Sequence, residues 1–361
     1  MKNFFFLLLV LLCTETVVAQ DAATGQAPAP DAPDALGQAQ EAALAGDFKK
    51  AAAILKEAAQ AGSADSAFAL GELYLEGNGV EQSVTTALEW YERAADGGNS
   101  MALFRQGELY LTGKGGIEKD SERGRFLLQS AGEAGVADAW TLLGGVLEAE
   151  ADAADAAPVR EKLFGRAREY FRQAAEGGSK VGQRKLGLML EEGKGGEKDA
   201  VQAIAWLKRA ALGGDASSMN ELGARYKEGK GVEKDPVVAL GWLLASAERD
   251  FAPGMTNLGL CYEQGVAVPR NFDQAGSWYS KASKHGYAPA QFLLGQLFEH
   301  GRGTDLNLVF AFANYSRAAN QGLKAAATSR DRVGKQLSPP QVREAERLLG
   351  LPAAPGDKPS P

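Results

Sequence analysis

Residues 218–248 read SMNELGARYKEGKGVEKDPVVALGWLLASAE. The stretch divides into two halves of helical spacing joined by a glycine loop. In the first half Ser218, Leu222 and Tyr226 recur every fourth residue, with Gly223 beside Leu222, which puts them on one face of a helix. Gly229-Lys230-Gly231 ends that helix, because glycine just past a helix takes the left-handed conformation without steric cost. Asp235-Pro236 opens the second half, an N-cap followed by the helical position that suits proline best. Ala239, Trp242, Leu243, Ser246 and Ala247 form the second apolar face.

The same sentence is written along most of the chain. Leu-Gly recurs at Leu70, Leu143, Leu186, Leu222, Leu258 and Leu294, with Gln106-Gly107 as a variant, at spacings of 36, 37, 43, 36, 36 and 36. A small residue precedes each pair by four, from Ser66 to Ala290, and an apolar one follows the glycine by three, from Tyr74 to Phe298. A fixed period in this range marks a solenoid, whose units bury their apolar faces only against their neighbours. Glycine in mid-helix costs about 1 kcal/mol against alanine. Its recurrence at one register predicts a close approach of another helix backbone.

The loops and caps argue against nucleotide and metal chemistry. Gly77-Asn78-Gly79, Gly113-Lys114-Gly115, Gly193-Lys194-Gly195 and Gly301-Arg302-Gly303 follow no strand, and a phosphate loop needs one together with a longer glycine pattern. Ser83, Asp120, Asp199, Asp235, Asn271 and Asn307 lie a repeat apart, so they form no ligand cluster and read as N-caps. The second helices carry Ala87, Trp90, Tyr91, Ala94 in one unit and Ala275, Trp278, Tyr279, Ala282 in another. Aromatics at that spacing are core. His285 and His300 lack the partner spacing of a metal site or a nucleophile triad. No cofactor is expected.

These units closely resemble the Sel1-like repeat, a longer-looped relative of the tetratricopeptide repeat: A-x-x-x-L-G-x-x-Y-x-x-G-x-G-V, then D-x-x-x-A-x-x-W-Y-x-x-A-A-x-x-G. The resemblance covers seven repeats over about 64–322 and implies an all-α fold, a right-handed α-solenoid of antiparallel helix pairs. The third repeat departs from the pattern. Between Glu148 and Glu161 it is Ala- and acid-rich, gains seven residues and lacks G-x-G, which predicts a longer, mobile loop. Residues 35–61 read as a degenerate leading unit and 324–349 as a trailing cap, together bounding a solenoid at 35–349.

Residues 1–19 read as a secretory signal peptide: Lys2, an apolar run from Phe4 to Leu12, and Val17-Val18-Ala19 at the cut. Cleavage near Ala19 predicts an exported chain, periplasmic or extracellular, with no membrane span after processing. The Ala- and Pro-rich stretches at 20–34 and 350–361 read as disordered. A net charge of −7 argues against nucleic acid, which needs a basic stripe to displace counterions. Removing the signal leaves Cys261, in a slot that holds Leu73, Leu109, Val146, Met189 and Leu297 in five other repeats and Arg225 in the sixth. It reads as a small core hydrophobe.

Function then falls on surface presentation. In the tetratricopeptide fold the groove is lined at −2, +2 and +5 from the Leu of Leu-Gly. Carried over, this implies a partner-binding face with Phe68, Phe104, Arg184, Asn220 and Phe292 in the first row, Glu72 and Glu108 in the second, and Glu191, Glu263 and Glu299 in the third. Such a face suits a protein partner offering a basic extended or helical segment. The resemblance implies an exported, non-enzymatic adaptor or regulator in the cell envelope. Two rivals are a structural scaffold binding glycan or peptidoglycan, and a β-lactamase or penicillin-binding-like hydrolase, whose branch carries paired cysteines in nearly every repeat, absent from this chain.

Overall fold

The computed structural model describes residues 35–349 and, among them, eighteen α-helices. The expected signal peptide and both expected disordered stretches lie outside the described residues. The chain forms two compact units, one through Gly182 and one from Gln183. Each is a stack of antiparallel helix pairs.

The first unit opens with α1 (Ala35–Leu44) and α2 (Phe48–Gln60), joined at Gly46-Asp47, where the Asp47 carboxylate caps α2. The repeat pairs are α3 (Ala64–Glu76) with α4 (Val84–Asp96), α5 (Ser100–Thr112) with α6 (Ser121–Glu133), and α7 (Ala137–Ala153) with α8 (Ala157–Glu176). α9 (Lys180–Glu192) begins at the end of this unit and runs into the next. The second unit continues with α10 (Ala200–Leu212), α11 (Ala216–Glu228), α12 (Pro236–Ala247), α13 (Ala252–Gln264), α14 (Phe272–Lys284), α15 (Ala288–His300) and α16 (Leu308–Asn320). It closes with α17 (Lys324–Gly334) and α18 (Pro339–Leu348). Within this unit the first helices α11, α13 and α15 also touch one another directly, so they make one layer and the second helices another.

One loop closes six of the seven pairs. Glycine ends the first helix in the left-handed conformation, as at Gly77 (φ 75°) and Gly229 (φ 77°). The N–H of the N-cap residue then donates to the carbonyl of the residue three past the Leu-Gly glycine: Ser83 to Tyr74, Asp235 to Tyr226, Asn271 to Tyr262. All six expected caps accept from the first turn of their helices. At Gly79 and Gly303 the second loop glycine is a close-approach site, whereas a Cβ on Gly231 would make only ordinary contact at 3.7 Å. A Cβ on Gly79 would lie 2.3 Å from the Phe48 carbonyl, and one on Gly303 would lie 2.5 Å from the Phe272 carbonyl carbon. Both are contacts with the start of the preceding second helix.

The third repeat differs from expectation. Its insertion does not lengthen the loop. α7 has 17 residues and α8 has 20, against 13 in most other repeat helices, and only residues 154–156 join them. Alanine and glutamate are strong helix formers, and the added turns are held by Ala151, wholly buried, and Phe164. Pro158 sits in the first turn of α8, and the Arg160 guanidinium donates to the Ala154 carbonyl at 2.7 Å. The extra residues lengthen both helices of the pair.

The Leu-Gly glycine also works differently from expectation. A Cβ there meets mainly a side chain of the paired second helix: Tyr91 for Gly71, Leu128 for Gly107, Phe171 for Gly144, Leu243 for Gly223, Tyr279 for Gly259 and Tyr315 for Gly295, at 2.5–2.7 Å. Each of these six side chains is fully buried or nearly so. At these six the glycine is a socket for a knob and backbone contact is secondary; at Gly187 the Ala203 carbonyl oxygen and Leu207 Cγ both lie at 3.0 Å, so the expected backbone approach holds there. Cys261 occupies its core slot with no exposed surface, and burial pushes its thiol up, with Lys227 partly offsetting this.

Candidate functional site

The residues expected to line a groove have two different fates. Phe68 and Glu72 on α3 are closed to solvent, at 3% and 1% exposure, so neither meets a ligand on the surface. Phe68 packs on the Tyr91 ring with centroids 5.8 Å apart. The Tyr91 hydroxyl donates to Glu72 at 2.5 Å, and Arg105 of α5 donates to both Glu72 oxygens at 2.9 Å. Burial first and the Glu72 charge second raise the Tyr91 hydroxyl well above its ordinary range. Burial works against the Arg105 charge, but Glu72 and Glu108 outweigh it and hold the guanidinium protonated.

The same device recurs in the second unit. The Tyr315 hydroxyl donates to Glu299 at 2.6 Å, and Arg332 of α17 pairs with that carboxylate, one bond at 3.0 Å. Phe292 packs on Tyr315. The Tyr279 hydroxyl donates to Glu263 at 2.6 Å. Glu191 pairs with Arg225, which also takes Glu221 at 2.5 Å, and with Lys230 at 3.2 Å. Arg184 faces Asp215 at 3.3 Å, and Asn220 accepts from Asn257 at 2.7 Å. The Arg225, Arg332 and Asn257 contacts tie repeat to repeat, and the tyrosine hydroxyls tie the two helices of one repeat.

The ties carry a pH dependence. Burial pushes Glu191 and Glu299 up, but the bonds and charges of Arg225 and Lys230, and of Arg332 and Tyr315, outweigh it, so both sit below the usual carboxylate range. A lowered carboxylate contributes stability that is present above its unfolded pKa of about 4.3 and is lost as pH falls through the folded value. Urea unfolding of the second unit should therefore show a lower midpoint at pH 3 than at pH 6. Glu299→Gln should narrow that difference. An unchanged difference would mean that the Glu299 tie contributes nothing in acid.

Phe104 is the exception among the three phenylalanines. Its second helix carries Leu128 where Phe68 and Phe292 meet tyrosine. Among the described residues no aromatic ring pairs with it, and Phe104 is half-buried at the wall of an open groove in the first unit. The groove holds about 590 Å³ between α5 and α7. Phe104 and Glu108 form one wall. Thr141, Leu142, Gly145, Val146 and Ala149 of α7 form the other wall and the floor, with Asp138 and Val181 at one end. A Cβ built on Gly145 meets nothing within 4 Å. The missing side chain is the hollow.

The polar groups of the groove are oriented. Glu108 shares Arg105 with Glu72, accepting at 2.9 Å. Thr141 donates to the Ser179 hydroxyl at 2.9 Å, which donates in turn to Asp138 at 2.7 Å. Among the described residues two carboxylates and no cation line the space. A smaller recess beyond it, about 270 Å³, shares Glu108, Leu142 and Val146 and adds Lys119 and Arg125, the latter paired with Glu150.

The spacing rule expected Phe104 and Glu108 on this face, and its −2 and +2 positions about Leu143 are Thr141 and Gly145, which line the same groove. It missed Asp138, Leu142, Val146, Ala149 and Val181, although 142, 146 and 149 sit beside 145 on the same helix face. The sequence signal was the absence of a side chain at Gly145, where other repeats hold Glu72, Leu188 or Leu260. His300 is exposed, and His285, at the end of α14, lies 4.0 Å from Asp250. Among the described residues no three His, Cys, Asp or Glu side chains gather as metal ligands, and no helix is long and apolar enough to cross a membrane.

Comparison with known proteins bears on the fold and the family. The family model for the Sel1 repeat matches residues 64–99, 100–136, 161–179, 181–215, 216–251, 252–287 and 288–323. The third match is the short one, where the insertion sits. A crystal structure of a protective antigen present in uropathogenic Escherichia coli strains, displaying an SLR fold, is similar with a TM-score of 0.69 and 28% identity, over 91% of this chain and 68% of that one. A Sel1 repeat protein from Oxalobacter formigenes is similar with a TM-score of 0.62 and 25% identity, over 91% of this chain and 94% of that one. Comparison with functionally curated proteins finds no match. With seven matched units over most of its described length, the chain belongs to the Sel1 repeat family.

Proposed function

We propose that this chain is an exported, non-enzymatic adaptor of the cell envelope that binds a protein partner through the α5–α7 groove. The observation that carries the reading is the groove itself: an open apolar hollow with an oriented carboxylate rim, on helix positions that the repeat leaves free to vary. Export is supported by the Lys2 start, the apolar run from Phe4 to Leu12 and the small residue Ala19. The adaptor role is supported by family membership, because Sel1 repeats commonly mediate protein–protein interaction.

The test is photo-crosslinking in intact cells. A benzophenone side chain at Thr141 should trap a discrete protein partner in the exported fraction, and one at Phe126, 70% exposed on α6, should not. Phe104→Ala should weaken the trapped complex about tenfold or more, since buried aromatic anchors dominate such interfaces. Glu108→Gln should act mainly on association rate and salt dependence. Crosslinks from Phe126 alone, or a chain retained in the cytoplasm, would sink the reading.

A further inference from the structure

We infer that the occupant of the α5–α7 groove is a basic amphipathic helix, seated with one bulky apolar side chain over Gly145. The inference rests on the adaptor reading and narrows it to one kind of partner.

The walls decide between a helix and an extended strand. An extended segment leaves its own N–H and C=O groups facing the site, and each buried one needs a partner. This groove has few donors to give. Among the described residues no Lys, Arg, Asn or Gln lines it. The Thr141 hydroxyl hydrogen is already given to Ser179. From Thr141 onward the N–H groups of α7 are spent inside the helix. Carbonyls of an extended chain would lie unpaired against Leu142, Val146 and Ala149. A helix satisfies its own backbone and asks the groove only for apolar contact.

Geometry and charge agree with that occupant. The lining on α7 runs from Asp138 to Ala149, which at 1.5 Å per residue is about 16 Å, or three turns of a docked helix. The row Thr141, Gly145, Ala149 has the four-residue spacing into which a helix ridge packs. Gly145 lets that ridge approach where any other residue would block it. On the α5 wall, Glu72 and Glu108 share the single guanidinium of Arg105, which leaves one net negative charge, and Asp138 adds another at the end of the groove, with the cation Lys119 in the adjoining recess. A lysine or arginine on the partner, one turn from its apolar anchor, meets that charge.

The test is a display selection on the full-length mature protein. The probe is a library of peptides of about twelve residues with apolar and charged positions randomised. Half of the library is hydrocarbon-stapled into helices and half is held extended by alternating prolines. Enrichment of stapled peptides carrying Lys or Arg is the expected result. Their affinity should fall about tenfold or more on Gly145→Leu, whose thermal midpoint should be unchanged or raised, because the new side chain meets open space and glycine is the poorer helix former. Enrichment of the extended or acidic half, no enrichment, or full binding to Gly145→Leu overturns the inference. If that happens while Thr141 still traps a partner, the adaptor reading stands and only the helical occupant is lost. If Thr141 traps nothing as well, both fail.

Discussion

Arg105→Ala is expected to destabilise the first unit by about 3–5 kcal/mol, the usual cost of removing one partner from a buried ion pair. Glu72 has 1% of its surface exposed, and Arg105 supplies two of its three hydrogen bonds. Without Arg105 the carboxylate stays buried with only the Tyr91 hydroxyl. It must then remain charged without compensation or take up a proton. Because a solenoid is stabilised by local and nearest-neighbour contacts, the loss should be local. Hydrogen exchange should show protection falling in α3 to α6 and holding in α13 to α16. A uniform loss, or none, would contradict the account. The control is the triple change Tyr91→Phe, Glu72→Leu, Arg105→Leu, which removes the three buried polar members at once and leaves Glu108, 35% exposed, to solvent. Replacing a buried network by apolar groups of similar size is often near neutral, so the triple variant should recover most of what the single one loses.

That network marks where sequence reading stopped. The spacing rule names a helix face, and Phe68, Glu72, Phe292 and Glu299 do lie on it. It says nothing of what the second helix sends across. Tyr91 and Tyr315 reach over from the paired helix with a hydroxyl that needs a buried acceptor, and the glutamates turn inward to provide it. The sign was present in the sequence. The units with tyrosine in this slot, at 91, 279 and 315, each carry a glutamate one helix earlier, at 72, 263 and 299. Phe104 stays at the groove because Leu128 has no such reach. Caps and loops were legible because their chemistry is local: an Asp or Asn before a helix needs only its own first turn. The third-repeat insertion was not. An alanine- and acid-rich run suits a loop in composition and a helix in propensity, and the packing of Ala151 and Phe164 decides for helix.

The second large effect expected is Gly223→Val, which tests the glycine socket. A Cβ on Gly223 would lie 2.6 Å from Leu243 Cγ and 2.7 Å from its Cδ2, with the Ala239 carbonyl oxygen at 3.2 Å. Leu243 is wholly enclosed, so it cannot swing into solvent to make room. Valine adds two further methyls at the same place, and its χ1 in a helix is nearly fixed, so it cannot turn them away. Overpacking of this kind costs about 1–3 kcal/mol. Helix propensity acts the other way, since valine is a better helix former than glycine by a few tenths of a kcal/mol, and is too small to reverse the sign. The knob is a side chain, so the damage should be repairable from the other helix. Leu243→Ala alone should open a cavity and destabilise, while Gly223→Val with Leu243→Ala should be more stable than the sum of the two losses predicts. Contacting residues commonly couple by about 0.5–3 kcal/mol. Chemical denaturation of the four members of the cycle decides it: strict additivity would mean that Gly223 is required by the neighbouring backbone and not by Leu243.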